Sequence, residues 1–198
     1  FSQVILSGAK QGRVRPAIPI DVIHGIQALC YAANDDMRWL IALLSDTGMR
    51  LAEACGLLVS DICLDTELPY IELTEHPWRS LKTRGSKRQV PLVGASLWAA
   101  QRIKETSTSE FAFPRYCSQE RAKADFASNA LNKWMRPHVP QGCVVHSFRH
   151  SLRDRLRAVE CPSDIIDQIG GWQTSGVGQR YGQGYSLVVT HKWLSSLQ

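Results

Sequence analysis

The sequence predicts a mostly α-helical domain carrying one small antiparallel β-sheet, an α+β arrangement. Two observations carry this. Apolar residues recur at i, i+3, i+4 and i+7 through much of the chain, the spacing of a helix buried on one side. Between Ser60 and Leu92 that period gives way to short β-prone runs separated by turn formers. The 198 residues suffice for one sizeable core or at most two small ones. With 44% hydrophobic and 21% charged residues, the composition is that of a globular chain rather than a disordered one. No apolar run approaches the roughly 18–20 residues of a membrane span, so a soluble protein without membrane contact is expected. Phe1 is not an initiator Met and no signal peptide follows, which reads as a piece of a longer, cytoplasmic protein.

Residues 1–20 hold Lys10, Arg13 and Arg15, no acid, and prolines at 16 and 19, the pattern of an extended basic linker to a preceding domain. Asp21 is placed to cap a helix reaching about Ala33. Met37, Leu40, Ile41 and Leu44 mark the next helix, interrupted by Thr47-Gly48. Leu51, Ala54, Cys55 and Leu58 repeat the spacing, giving a helix from near Met49 to near Leu58. Ile62 with Leu64, Tyr70–Leu73 and Gln89–Leu92 are the strand segments, with Arg84-Gly85-Ser86-Lys87 as a turn between the last two. Pro91 assigns its strand to a sheet edge, since proline cannot donate to a ladder. Further helices are expected over about 94–105, 120–135, 147–159, 162–168 and 186–196.

The net charge of +5 conceals an asymmetry. Residues 34–75 carry nine acids against Arg38 and Arg50, so the rest of the chain is strongly basic. That favours a polyanionic partner, nucleic acid before membrane, although a solvated basic face gives the same charge. The six cysteines, at 30, 55, 63, 117, 143 and 161, form no CxxC pair. They read as reduced, mostly buried thiols rather than a disulfide framework or a zinc site.

Four constellations could carry chemistry. In Thr47-Gly48-Met49-Arg50-Leu51-Ala52-Glu53, Arg50 opens a helix and Glu53 lies one turn on, within reach of an ion pair. Lys82, Arg84, Lys87 and Arg88 surround one hairpin turn, either a solvated tip or a basic finger for a DNA groove. His146 and Arg149 share one face of a helix start. The His146/His150 spacing lacks the Glu of a zinc-binding HExxH, which leaves phosphate-directed groups or a buried structural histidine. Finally, Ile169-Gly170-Gly171-Trp172 is followed nine residues later by Tyr181. Singly, each of these is as well explained by packing.

In this order, Arg50, Lys82, His146, Arg149, Trp172 and Tyr181 resemble the tyrosine recombinase (phage integrase) family, over about residues 20–198. The family's catalytic domain carries an Arg box, here Thr47-Gly48-x-Arg50-x-x-Glu53-x-x-x-Leu57, then a hairpin Lys, H-x-x-R, a His or Trp, and a nucleophilic Tyr. Trp172 stands where most members have His. The resemblance implies the family's catalytic-domain fold over 21–198, with 1–20 leading from an N-terminal DNA-binding domain. It implies a site-specific DNA recombinase of a phage or other mobile element, cutting and rejoining double-stranded DNA through a 3′-phosphotyrosyl intermediate without metal or other cofactor.

By the same resemblance, Arg50 and Arg149 bind the phosphate as planar forks and Trp172 donates its indole N–H. Tyr181 attacks, His146 takes its proton, and Lys82, or Lys87 in another hairpin register, protonates the leaving 5′-oxygen. Glu53 orients Arg50 and His146, and Arg84, Lys87 and Arg88 contact DNA. Tyr185 lies four residues beyond the family's Trp-to-Tyr interval. Expected partners are DNA, further protomers (a tetramer in the synapse) and host or phage accessory proteins. The apolar face of Leu187–Leu197 packs on a neighbouring protomer or in cis. Two alternatives stay open: strand relaxation like that of a type IB topoisomerase, and a catalytically silent DNA-binding relative.

Overall fold

Helix α1 (Ile20–Ala33) starts directly after Pro19 in the computed structural model, which describes residues 16–81, 86–172 and 184–198. Asp21 therefore does not cap the helix. It sits inside the first turn, where its charge meets the positive end of the helix dipole. Helix α2 (Asp36–Thr47) is capped by Asp35, whose side chain accepts from the Arg38 N–H at 3.0 Å. It ends where Gly48 turns left-handed, at φ +59°. Leu40 to Thr47 are all buried, so α2 is the central helix, packed by α1, α4 (Gly94–Thr106) and α6 (Ser147–Ala158).

The next helix, α3 (Leu51–Cys55), is shorter than its apolar spacing predicts. It stops at Gly56, and Leu57 and Leu58 leave the helix to pair with the chain near Phe111. A 3₁₀ turn at Val59–Asp61 follows, where Asp61 Oδ2 accepts the Leu58 N–H at 3.0 Å. The sheet follows, with β1 (Ile62–Cys63), β2 (Tyr70–Leu73) and β3 (Arg88–Pro91) antiparallel in the order β1-β2-β3. Ile62 pairs with Ile71, and Leu73 with Arg88. Pro91 thus lies on an edge strand, as its chemistry requires. Helix α5 (Ala124–Met135) begins four residues later than expected, because Cys117 and Ala122 form a β-bridge across a tight turn. The chain closes with α7 (Ser163–Gly170) and α8 (Leu187–Ser195).

The main core joins α1, α2, α4 and the inner face of the sheet through residues such as Ile23, Leu40, Ile71 and Val90. A second cluster binds α6, α7 and α8 through Leu152, Leu156, Ile165, Ile169 and Leu194. Leu194 is fully buried, so α8 docks on its own chain here. At the other end, Ile18 is buried and its N–H donates to Ser151 Oγ at 2.7 Å, which ties this point of the chain to α6, while residues 1–15 of the expected linker lie outside the described residues. All six cysteines are free thiols, and burial pushes Cys30 up to about 12 and Cys161 up to about 11. No helix among the described residues is long and apolar enough to cross a membrane.

One buried carboxylate ties four helices together. Asp46 accepts from the Ala95 N–H at 2.9 Å, from Gln27 Nε2 at 3.2 Å and from both terminal nitrogens of Arg155 at 3.2 Å. Replacing it leaves a nearly buried guanidinium without its counter-charge and the Ala95 N–H without its acceptor. Asp46→Ala should therefore destabilise the domain by about 3–5 kcal/mol in urea unfolding, as expected for breaking a buried ion pair from one side.

Candidate active site

The site begins where α2 ends. Thr47 Oγ1 bonds back to the Leu43 carbonyl at 2.6 Å, and Gly48 in its left-handed conformation redirects the chain toward α3. The Gly48 carbonyl then accepts from Arg149 Nη1 at 2.7 Å, which docks α6 on this bend. Arg50 stands at the start of α3. Its Nη1 donates to Glu53 Oε1 at 2.6 Å and to Ser86 Oγ at 3.1 Å, and its Nη2 donates to the Gly171 carbonyl at 3.2 Å. Glu53 is buried, and its Oε2 accepts the Arg50 backbone N–H at 2.9 Å and Arg88 Nη2 at 3.2 Å.

Arg88 is a correction to the sequence-based expectation. It is not a DNA-facing cation, because its side chain is only 4% exposed and points inward. Its Nε donates to the Ile169 carbonyl at 3.0 Å and its Nη1 to the Ser86 carbonyl at 2.8 Å. The reason is strand alternation: Arg88 and Val90 share the buried face of β3 while Gln89 points out. Val90, two residues on, was the available signal. Lys87, by contrast, is exposed. Lys82, Arg84 and Tyr181 lie outside the described residues.

The Gly170-Gly171-Trp172 box has a steric origin. A Cβ on Gly170 would lie 1.8 Å from the Trp172 ring, so only glycine lets the indole fold back over the end of α7. Gly171 has φ +61°, and a Cβ there would also press on Arg88. The folded-back indole meets α6. Arg149 Cζ lies 4.3 Å from the ring centroid, and Arg153 Cζ lies 5.0 Å from it. Arg50 holds the carbonyl of Gly171 and Arg149 covers the ring of the next residue, so both guanidiniums converge on one turn.

Electrostatics follow from this crowding. Burial pushes the Arg149 guanidinium down to about 9, and the nearby charges of Arg50 and Arg88 add to the effect while Glu53 opposes it. Its Nη2 is buried and makes no hydrogen bond among the described residues. Burial alone would raise the Glu53 carboxyl. Arg88, the Arg50 N–H and the Arg50 guanidinium together outweigh it and hold the carboxyl below its usual range.

His146 precedes α6 and is half-buried, its ring edge-on to His150 with centroids 5.3 Å apart. It lines a cleft of about 310 Å³ with Leu51 and with Asp125, Ser128 and Asn132 of α5. Leu51 directly follows Arg50, which places the imidazole beside the start of α3. The turn before His146 is held by Asn132 Oδ1, which accepts the Val145 N–H at 2.7 Å. Tyr185 sits elsewhere. Its hydroxyl donates to Asp164 in the first turn of α7, at the opposite end of that helix from Trp172, and this bond raises the phenol's pKa. Sequence reasoning missed Arg153 and the carbonyl acceptors of Gly48 and Gly171, none of which stands out without the tertiary structure.

A small antiparallel sheet on a mostly helical body is the catalytic-domain fold of tyrosine recombinases. The chain belongs to the phage integrase family, whose model matches residues 23–186. Among solved structures, the Tn1549 transposon integrase in complex with circular intermediate DNA is 16% identical, with 85% of this chain and 60% of that chain covered and a TM-score of 0.63. The XerH site-specific recombinase bound to a palindromic difH substrate, a post-cleavage complex, is 16% identical, covering 91% and 50% with a TM-score of 0.61. A lambda integrase tetramer bound to a Holliday junction is 15% identical, covering 88% and 50% with a TM-score of 0.57. At these identities the likeness is one of fold, and the chain spans half to three fifths of the length of those proteins. No curated protein sequence gives a significant match.

The depressed Glu53 carboxyl has a pH signature. Its contribution to stability is complete above about 4.5, the ordinary glutamate value, and is lost as pH falls through the lower folded value. Glu53→Gln should start less stable at neutral pH and lose less on acidification than wild type, as followed by circular dichroism during acid titration.

Proposed function

We propose that this chain is the catalytic domain of a site-specific DNA recombinase, an integrase of a phage or other mobile element, acting through a 3′-phosphotyrosyl intermediate. The observation that carries the reading is the convergence of Arg50 and Arg149 on the Gly171–Trp172 turn, with one buried carboxylate facing three guanidiniums. Such an excess of buried positive charge suits a phosphodiester, whose non-bridging oxygens gain charge as phosphorus is attacked.

Arg50 and Arg149 bind those oxygens as planar donors, and the buried Nη2 of Arg149 supplies one of the N–H groups. Trp172 adds an indole N–H. Tyr181 attacks phosphorus, forming the P–O(Tyr) bond as the P–O5′ bond breaks. A phenol's pKa of about 10 requires loss of a proton during attack, and His146 accepts it. The departing 5′-oxygen takes a proton from Lys82, with Lys87 as the alternative donor. A 5′-hydroxyl from another strand then reverses the steps. Glu53 orients Arg50. Tyr185 is disfavoured as nucleophile because its hydroxyl is committed to Asp164.

Double-stranded DNA is the proposed substrate, gripped in part by Arg84 and Lys87 and by a DNA-binding domain preceding residues 1–20. Assembly as a tetramer on DNA is proposed from the lambda integrase structure, which is a tetramer on a Holliday junction.

The test is incubation with nicked suicide duplexes of randomised core sequence, which trap a covalent product. Wild type should form a protein–DNA adduct that survives denaturation, and Tyr181→Phe should form none. Arg149→Ala should slow adduct formation by about 10²–10³-fold, the loss typical of removing a charge-stabilising donor. An adduct that persists in Tyr181→Phe and disappears in Tyr185→Phe would overturn the nucleophile. Salt-sensitive DNA binding by wild type with no adduct would make the chain a silent DNA-binding relative.

A further inference from the structure

Arg153 and Asp167 form a bracket around Trp172 that the reaction scheme above does not use. Arg149 and Arg153 project from successive turns of α6, and both guanidiniums lie over the same indole, at 4.3 and 5.0 Å. Two like charges on one ring repel, which calls for a counter-charge. Asp167 supplies it: Arg153 Nη2 donates to Asp167 Oδ1 at 2.9 Å, and the Asp167 side chain is only 6% exposed. The same residue also holds the tryptophan's backbone, since the Trp172 N–H donates to the Asp167 carbonyl at 2.8 Å. Asp167 thus fixes the main chain of Trp172 directly and its ring through Arg153. The absent side chain of Gly170 leaves room for the ring in that position.

We infer that Arg153 and Asp167 are positioning residues that fix the indole of Trp172 against Arg149. The inference rests on the recombinase reading, in which Trp172 and Arg149 meet the phosphate. Arg153 itself makes no contact with substrate in this scheme. Its planar face and charge hold the ring by cation–π attraction, and a lysine could supply the charge but not the plane. Loss of the bracket frees the indole to rotate and leaves Arg149 without a fixed wall on that side, so the cost falls on the chemical step rather than on DNA affinity.

Single-turnover adduct formation and DNA affinity, measured separately, test this. Arg153→Ala should slow adduct formation about tenfold while leaving the dissociation constant for DNA unchanged. Arg153→Lys should fall between, and it carries the test should the alanine variant fail to fold. In a Trp172→Ala background, Arg153→Ala should cost nothing further, because both changes remove one interaction. Additive losses, or weaker DNA binding with a shallower salt dependence, would put Arg153 on the DNA backbone and overturn the inference. A readout independent of reaction is the near-ultraviolet circular dichroism of Trp172, taken as the difference between wild type and Trp172→Phe. That signal should shrink in Arg153→Ala and in Asp167→Asn, and an unchanged signal in an active enzyme sinks the bracket alone. Wild type that forms no adduct, with the signal still sensitive to Arg153, sinks the recombinase reading and with it the bracket's part in the reaction.

Discussion

Glu53 is the counter-ion on which the site's geometry depends. Burying a guanidinium costs several kcal/mol unless its charge is offset and its N–H groups are satisfied, and here Arg50, Arg88 and Arg149 are packed near one carboxylate. The offset comes in two parts. Glu53 takes Arg50 and Arg88 in direct ion pairs. Backbone carbonyls take most of what is left, those of Ile169 and Gly171 lying at the C-terminal end of α7, where the helix dipole is negative. Among the described residues no carboxylate pairs directly with Arg149, whose guanidinium is held by burial well below the usual arginine range.

The fold delivers these groups from segments far apart in sequence. Gly48 bends the chain so that its carbonyl meets α6 while Arg50 turns toward α7. Strand β3 brings Arg88 inward by simple alternation, and the glycine pair at 170–171 lets Trp172 close over α6. One residue before Thr47, Asp46 joins α1, α2, α4 and α6, which anchors the end of α2 from which the bend starts. Docking of α8 through Leu194 completes the second core beneath α6 and α7.

Much of this was legible in the sequence because burial imposes periodicity. The long helices, the three strands and the edge position of Pro91 follow from apolar spacing and from proline's missing donor. Boundaries failed where non-helical bonds override spacing: the pairing of Leu57 and Leu58 with the chain at 111–112 shortens α3, and the 117–122 turn delays α5. At the site, the identities of Arg50, His146, Arg149 and Trp172 could be listed from their order, but the meeting of Arg50 and Arg149 at the Gly171–Trp172 turn is a tertiary property. Arg88 was misplaced because a cluster of cations beside a hairpin turn looks like a solvated tip, and only its phase with Val90 says otherwise. Arg153 carried no signal, since an arginine on a helix is ordinary until the ring it covers is known.

The central claim is that Arg149, which no carboxylate pairs directly among the described residues, binds a phosphodiester anion jointly with Arg50. Titration with dimethyl phosphate, followed by ³¹P NMR, tests this without any DNA target sequence. Saturable binding to wild type that is lost in Arg149→Ala and in Arg50→Ala, and kept in Lys104→Ala on the exposed face of α4, is the expected result. Equal binding to wild type and to both arginine variants would contradict it.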